Sequence, residues 1–376
     1  MPPAPQSDPI PNLEAIAREF DIPGRFLSAE PHGGGHINDT FLSRYETQAG
    51  VRRYIHQRIN HNVFREPWKV MENIERVTRY ASEQIAAAGG DPERETLNLV
   101  LARDGKSYIV TPRGDTWRTY HYIDGARTYE LPENDRMVYN AAHAFGRFQT
   151  LLGSLPGERL HETIPNFHHT RKRFETFLQI LSADPANRAA PVNAEIDFIL
   201  AREKDASVVV DLLAQGKIPE RATHNDTKLN NVLIDDLTGE GICVIDLDTM
   251  MPGSALYDFG DLIRMGAATA AEDEPDLRKV GIDLRLFEQL ARGYLSAAGS
   301  FLTATEREHL AFAGRLITYE QAIRFLGDYL NGDTYYKTHR PGHNLDRART
   351  QIMMIAEMER QQEAMEVVIR HCLQIF

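Results

Sequence analysis

The sequence predicts an α+β fold in two lobes, a small antiparallel sheet followed by a larger, mainly helical lobe. Three observations predict it. Short apolar strand patterns separated by turn residues fill the first third of the chain. After residue 125 apolar residues recur every three or four positions instead. A polar loop and hairpin between His224 and Asp248 then interrupt the helical part.

Residues 1–12 are proline-rich, and a helix over Leu13–Phe20 precedes the sheet. Strands follow at Phe26–Glu30, Thr40–Tyr45 and Arg53–Ile59. Trp68–Ile85 reads as a helix, because Val70, Ile74, Val77 and Ala81 share one face. Further strands fit Leu97–Ala102, Ser107–Thr111 and Trp117–Tyr122, and Gly125 ends the last. Met137, Ala141, Phe145, Phe148 and Leu152 mark a helix, while Ala348, Ile352, Ile355, Ile369 and Cys372 mark one long C-terminal helix. The expected lobes are residues 1–122 and 123–376, with a nucleotide in the cleft between them.

Composition narrows the function. With 376 residues, 42% hydrophobic and 26% charged, the chain can bury a substantial core. A net charge of −12 argues against a nucleic-acid partner. Cys243 and Cys372 both fall on apolar faces, so a disulfide framework is not expected and a reducing cytoplasm fits. No run of 18 apolar residues occurs, and the first residues lack a basic segment followed by an apolar one, so neither a membrane span nor a secretory leader is expected.

The chemistry lies in His224-Asn225-Asp226-Thr227-Lys228-Leu229-Asn230-Asn231 and in Ile245-Asp246-Leu247-Asp248 after it. Between them, Val232–Ile234 is an apolar strand, Asp235–Gly239 a turn, and Ile242–Ile245 the returning strand. The return brings Asp246 back beside the loop that began at Asp226. That order of groups suits ATP-dependent phosphoryl transfer to a hydroxyl. Asp226 can accept the hydroxyl proton and Lys228 can neutralise the terminal phosphate, while Asn231 and Asp246 can hold Mg2+. Asp258-Phe259-Gly260 spells a metal motif, but it lies 12 residues past Asp246. Asp258 is therefore read as a structural acceptor bracing the loop.

A glycine-rich turn between the first two strands can cover phosphates with Gly33, Gly34, Gly35, Asn38 and Thr40, although a plain tight hairpin also accounts for three glycines. The third strand has no lysine to grip phosphates. Gln57 or Arg58 would take that position, and alternation lets only one of them face the nucleotide. The helical partner is Glu72 or Glu75, unless both are simply solvated. Residues 117–125 would offer backbone groups to adenine, with Tyr120 and Tyr122 either beside the base or packing the lobes.

With these residues in order, the chain resembles the aminoglycoside phosphotransferase and choline kinase superfamily, which has a protein-kinase-like fold. His224, Asp226, Asn231, Ile245, Asp246, Gly253 and Asp258 carry the match, and Ser254-Ala255 stand where Asp-Pro is common. Within it the chain looks most like the N-acetylhexosamine 1-kinases, on Gly35–Thr40, Thr223–Lys228, Val244–Thr249, Met251–Gly253, Ile323–Asp333 and His343–Arg347. The resemblance implies transfer of the ATP γ-phosphate to the anomeric hydroxyl of N-acetylglucosamine or N-acetylgalactosamine. Candidate sugar contacts are then His36, Arg324, Tyr335, His343 and Asp248. Arg324 could instead form a helix-surface ion pair with Glu320, and Tyr335 could be core. Alternation would put Asp248 on the same side of a strand as Asp246. Two other readings stay open: a kinase of choline, homoserine, an unacetylated sugar or an aminoglycoside, and a non-catalytic nucleotide-sensing module favoured by the missing lysine.

Overall fold

The computed structural model describes residues 12–33 and 37–376, so Gly34, Gly35 and His36 lie outside the described residues. The chain divides after Asp124 into two compact units.

The first unit carries an antiparallel sheet of β1 (Arg25–Pro31), β2 (Asp39–Thr47), β3 (Gly50–Ile59), β4 (Ile109–Val110) and β5 (Thr116–His121), in spatial order β1-β2-β3-β5-β4. Alternation sorts the residues onto two faces. Phe41, Tyr45, Tyr54 and Trp117 share one face and pack with Leu13 and Ala17 of the helix Leu13–Arg18, which stops short of the expected Phe20, and with Phe20 just beyond it. Leu42, Ile59 and Tyr120 are buried on the other face, which also carries the cross-strand row Thr40, Gln57 and Arg118. The helix Pro67–Ala87 starts on a proline that is pre-set for the first turn, and it buries Val70, Met71, Ile74, Val77, Ala81 and Ile85.

Two expected strands differ. Leu97–Ala102 pairs only through isolated bridges, Leu99 with Tyr120 and Ala102 with Phe20. The Asn98 amide is spent on the carbonyls of Pro92 and Thr96, and a turn at Asp104–Gly105 takes up Ala102. Ser107–Thr111 shrinks to the two residues of β4.

The second unit is mainly helical. It holds β6 (Ala126–Arg127), β7 (Arg221–Thr223), β8 (Val232–Asp235), β9 (Gly241–Val244) and β10 (Met251–Gly253), arranged as β6-β8-β9 and β10-β7. Helices Thr170–Ala183, Leu310–Leu330 and His343–Arg360 enclose a core of Phe174, Phe177, Tyr319, Leu326, Ala348 and Ile355. The C-terminal segment is two helices rather than one, His343–Arg360 and Gln362–Ile375, because Gln361 leaves helical geometry and gives its amide to the Ile282 carbonyl. Cys243 and Cys372 are free and buried. No helix among the described residues is long and apolar enough to cross a membrane.

Helices Asp135–Leu151 and Leu284–Ala298 approach through reciprocal glycines. A β-carbon at Gly146 would strike the Tyr294 carbonyl, and one at Gly293 the Tyr139 carbonyl. Backbone oxygens cannot swing aside as side-chain tips do. Gly293→Ala should therefore destabilise the protein by about 1–3 kcal/mol, the usual cost of overpacking. The expected result is a lower urea midpoint with an unchanged slope.

Candidate active site

The loop after β7 is held by one helix. At Asn225 the backbone takes a positive φ of 65°, a conformation that asparagine tolerates better than most residues. Its amide nitrogen secures the bend by donating to the carbonyls of Thr223 and Thr249, at 3.1 and 2.8 Å. Asp258, 1% exposed on the helix Ala255–Gly266, then accepts the backbone N–H groups of His224 and Asn225 at 2.9 and 2.7 Å, together with the Gln149 amide. One turn later Asp261 accepts the Thr227 N–H at 3.0 Å and the Arg264 Nε at 3.0 Å. Ser254 caps this helix by accepting the Leu256 N–H.

The candidate side chains converge on this frame. Lys228 Nζ lies 2.9 Å from Asp226 Oδ2. Asn231 Nδ2 donates to the Asp226 carbonyl at 2.8 Å and to Oδ2 at 3.2 Å. Burial works against the charge on Lys228, but the carboxylates of Asp226, Asp261 and Asp246 outweigh it and hold its pKa above the ordinary lysine value. The hairpin closes as its turn residues predict, with Val232 opposite Val244. The Ile245 N–H bonds to the Asn231 carbonyl at 2.9 Å, and the Ile245 carbonyl accepts His224 Nε2 at 2.9 Å. His224 Nδ1 accepts the Asp226 N–H at 3.2 Å, so the ring is the neutral Nε2–H tautomer.

Asp246 follows at φ 60° and is exposed. The strand has already ended at Val244, and Leu247–Thr249 form a tight 3-10 turn. Strand alternation therefore does not reach Asp248, which is buried at 4% exposure instead of sharing the side of Asp246. Among the described residues, no group of three or more histidines, cysteines or carboxylates converges as a metal site.

In the sheet unit, Gly33 has φ 75°. Past the undescribed residues, Asn38 Oδ1 accepts the N–H of Asn60, the residue after β3, and Asn60 Nδ2 donates to the Ile37 carbonyl. Arg58 pairs with Asp39, whereas Gln57 sits on the opposite face between Thr40 and Arg118. Glu75 is engaged by Ser107 and Arg79. Tyr120 is buried with its ring 5.3 Å from the Arg118 guanidinium, and Tyr122 lies under Arg53 at 4.1 Å.

The acceptor candidates fare unevenly. Arg324 lies over the rings of Phe167 and Tyr336 at 5.8 and 5.5 Å. The expected surface pair with Glu320 does not form, because Glu320 is fully buried and bonded to His168 and Thr170. Tyr335 is 67% exposed and thus not core; its ring meets Tyr336 edge-on. His343 is buried with both ring nitrogens engaged, by Asp273 and by the His339 N–H. Three residues near these groups escaped the sequence reading: Asp261, Arg173 and His168. Only Asp261 left a signal, a second carboxylate one turn beyond Asp258.

His168 bonds Glu320 Oε1 at 2.8 Å and the Asn225 carbonyl at 3.2 Å. Both partners only accept, so both ring nitrogens donate and the ring is an imidazolium. Burial opposes that charge, but Glu320 prevails and raises the His168 pKa. A raised folded-state pKa stabilises fully below the unfolded value and is lost as pH climbs through the folded one. In thermal unfolding across a pH series, wild type should exceed His168→Gln at mildly acidic pH. That gap should narrow as pH rises above about 6.5, the ordinary imidazole value.

The family described as Phosphotransferase enzyme family (APH) matches residues 28–309, which is most of the chain. The fold is similar to that of an aminoglycoside phosphotransferase from Alicyclobacillus acidocaldarius subsp. acidocaldarius DSM 446, with TM-score 0.59 and 14% identity over 99% of this chain and 98% of that one. A choline/ethanolamine kinase family protein from Mesorhizobium loti gives TM-score 0.57 and 21% identity over 94% and 98%. A spectinomycin phosphotransferase in complex with ADP and spectinomycin gives 0.55 and 12% over 94% and 99%. At these identities the structures share a fold with this chain, and the family match carries the rest. The chain belongs to the Phosphotransferase enzyme family and is a phosphotransferase with an alcohol group as acceptor.

Proposed function

We propose that this enzyme transfers the γ-phosphate of ATP to the anomeric hydroxyl of an N-acetylhexosamine, giving the sugar 1-phosphate. The observation that carries the phosphoryl-transfer part is the contact of Asp226 with both Lys228 and Asn231 on a loop tied to the hairpin end at Asp246. In this reading Asp226 accepts the proton of the attacking hydroxyl. An anomeric hydroxyl is more acidic than an ordinary alcohol, so one carboxylate suffices as base. Lys228, kept charged by the carboxylates around it, offsets charge on the transferred phosphoryl group.

Asn231 Oδ1 and the exposed Asp246 carboxylate are oxygen ligands of the kind a hard cation prefers. Mg2+ held there would neutralise phosphate oxygens.

The sugar assignment draws on the strings shared with N-acetylhexosamine 1-kinases and on the charge near Phe167. Arg173 donates Nε and Nη2 to the Phe167 carbonyl at 3.3 and 3.0 Å, while Arg324 lies over the ring of the same residue. The next residue, His168, reaches the Asn225 carbonyl beside Asp226. Two guanidiniums there repel a cationic acceptor and suit the hydroxyl and carbonyl oxygens of an acylated sugar. This favours the neutral sugar over choline or an aminoglycoside.

Incubation with Mg-ATP and a panel of amino sugars, sugars and amino alcohols, followed by phosphorus NMR, tests the assignment. An anomeric phosphate on an N-acetylhexosamine is expected; a phosphate on a side-chain alcohol of another acceptor would reject it. Asp226→Ala should lower turnover by about 10²–10⁴-fold, the range for loss of a general base, with nucleotide affinity nearly unchanged. Asp246→Ala should weaken Mg-ATP binding as well, and full activity in either variant would contradict these roles.

A further inference from the structure

Resting on the acceptor reading above, we propose that Asp328 is a positioning residue for the acceptor, its buried carboxylate fixing Tyr335 and Tyr336 beside Arg324. All of these residues lie in the second unit. Residues 331–342 join the helix Leu310–Leu330 to the helix His343–Arg360. Gly332 and Asp333 take positive φ values of 88° and 60°, and the Asp333 N–H returns to the Asp328 carbonyl at 2.8 Å. Two successive left-handed residues turn the N–H groups that follow to one side, and such a run of amides is a concave site for an anion.

Asp328 fills that site from within the chain. Its Oδ1 accepts the N–H groups of Thr334 and Tyr335 at 2.9 and 2.8 Å. Its Oδ2 accepts the Tyr336 N–H and the Asn344 side-chain amide, both at 2.9 Å. The Thr334 hydroxyl adds a longer contact to Oδ1 at 3.5 Å. These donors take up the roughly four acceptor positions that a carboxylate offers. The placement is otherwise unfavourable. Asp328 is 6% exposed, forms no ion pair among the described residues, and stands in the last turn of its helix, where the dipole disfavours negative charge. An asparagine there would accept at one oxygen only and set its own N–H groups against those of the loop.

What this carboxylate orders is the set of acceptor candidates. Tyr335 is exposed and meets Tyr336 edge-on. The Tyr336 ring lies 4.7 Å from that of Phe325 and 5.5 Å from the Arg324 guanidinium. Its hydroxyl is buried without a hydrogen-bond partner among the described residues, so its polar anchorage comes through the backbone bond to Asp328. Arg324 in turn lies over the Phe167 ring, and His168, the next residue, bonds the Asn225 carbonyl beside Asp226. A path of contacts thus runs from Asp328 to the loop of the proposed base. Substrate-binding groups are only as well placed as the contacts behind them, and a shift of about 1 Å is enough to lose much of their effect.

The test is steady-state kinetics of the full-length protein with Mg-ATP and N-acetylglucosamine, at a temperature where circular dichroism shows each variant folded. Asp328→Asn should raise the acceptor KM by about fivefold or more, the size of one ordinary hydrogen bond, and leave the ATP KM within about twofold. A purely structural role would only reduce the folded fraction, lowering apparent kcat with both KM values unchanged, and that result overturns the proposal. Tyr336→Leu removes the ring and keeps the N–H that Asp328 binds. It should raise the acceptor KM to a similar extent. Because the two residues act in series, the double variant should lose less than the product of the two single losses. Strictly multiplicative losses overturn the proposal, as does an unchanged acceptor KM in Tyr336→Leu, which decides the matter should Asp328→Asn not fold. Wild-type protein inert toward every sugar of the panel would sink the acceptor reading itself. An active wild type with an unaltered acceptor KM in Asp328→Asn would sink the positioning role alone.

Discussion

The buried carboxylate of Asp258 is the constraint on which the loop of Asp226 depends. A positive φ at Asn225 turns two consecutive N–H groups away from regular pairing, and buried donors without acceptors cost several times what an ordinary hydrogen bond contributes. Asp258 meets both with one oxygen each, and Asp261 meets a third at Thr227 one turn later. One helix thus supplies the acceptors that the bent loop needs. The helix is in turn fixed against its neighbour, where Gly260 admits the Ala313 carbonyl of Leu310–Leu330. Hydrogen bonds to a charged acceptor stabilise by about 1.5–3 kcal/mol each, so three of them outweigh the cost of one residue in the left-handed region.

Charge follows from the same frame. Asp226, Asp246 and Asp261 all act on Lys228, which leaves the loop with more negative than positive charge in a chain already at −12. A triphosphate brings further negative charge. On the proposed reading, a divalent ion at Asn231 and Asp246 must therefore offset it. The proposed acceptor side has the opposite balance, with Arg173 and Arg324 against a Glu320 already committed to His168. On that reading the phosphates would be matched by the metal ion beside Asp226, and the acceptor by the guanidiniums of Arg173 and Arg324.

Legibility in the sequence tracked the range of the interactions. The β8–β9 hairpin was readable because turn formers and an apolar period of two lie within a dozen residues, and it returned Asp246 to the catalytic loop. Asp258 was readable as a brace because it sits too far past the strand to be part of it. Asp248 was misread because the left-handed bend at Asp246 ends alternation, and such a bend has no period to announce it. The C-terminal helix was drawn too long because its apolar stripe continues through Gln361, whose kink depends on the distant Ile282 carbonyl. His168 left no signal at all. Its partner, Glu320, lies 152 residues away in sequence, and only packing brings them together.

The histidine of the loop illustrates how a motif residue can matter without touching substrate. His224 accepts the Asp226 N–H on one nitrogen and donates to the Ile245 carbonyl through the other. It is therefore a rigid spacer between the proposed base and the proposed cation ligand, each one bond removed from an imidazole edge. Phe145 and Phe148 meet its ring edge-on at 5.6 and 6.3 Å, excluding the water that would loosen both contacts. An asparagine could bond at one end but lacks the reach for both, and an aromatic hydrocarbon would bond at neither. Histidine serves because a neutral imidazole is simultaneously flat, donor and acceptor on opposite edges. The imidazole thus joins the Asp226 backbone to the carbonyl of Ile245, the residue before Asp246, across 20 positions of sequence without a covalent link.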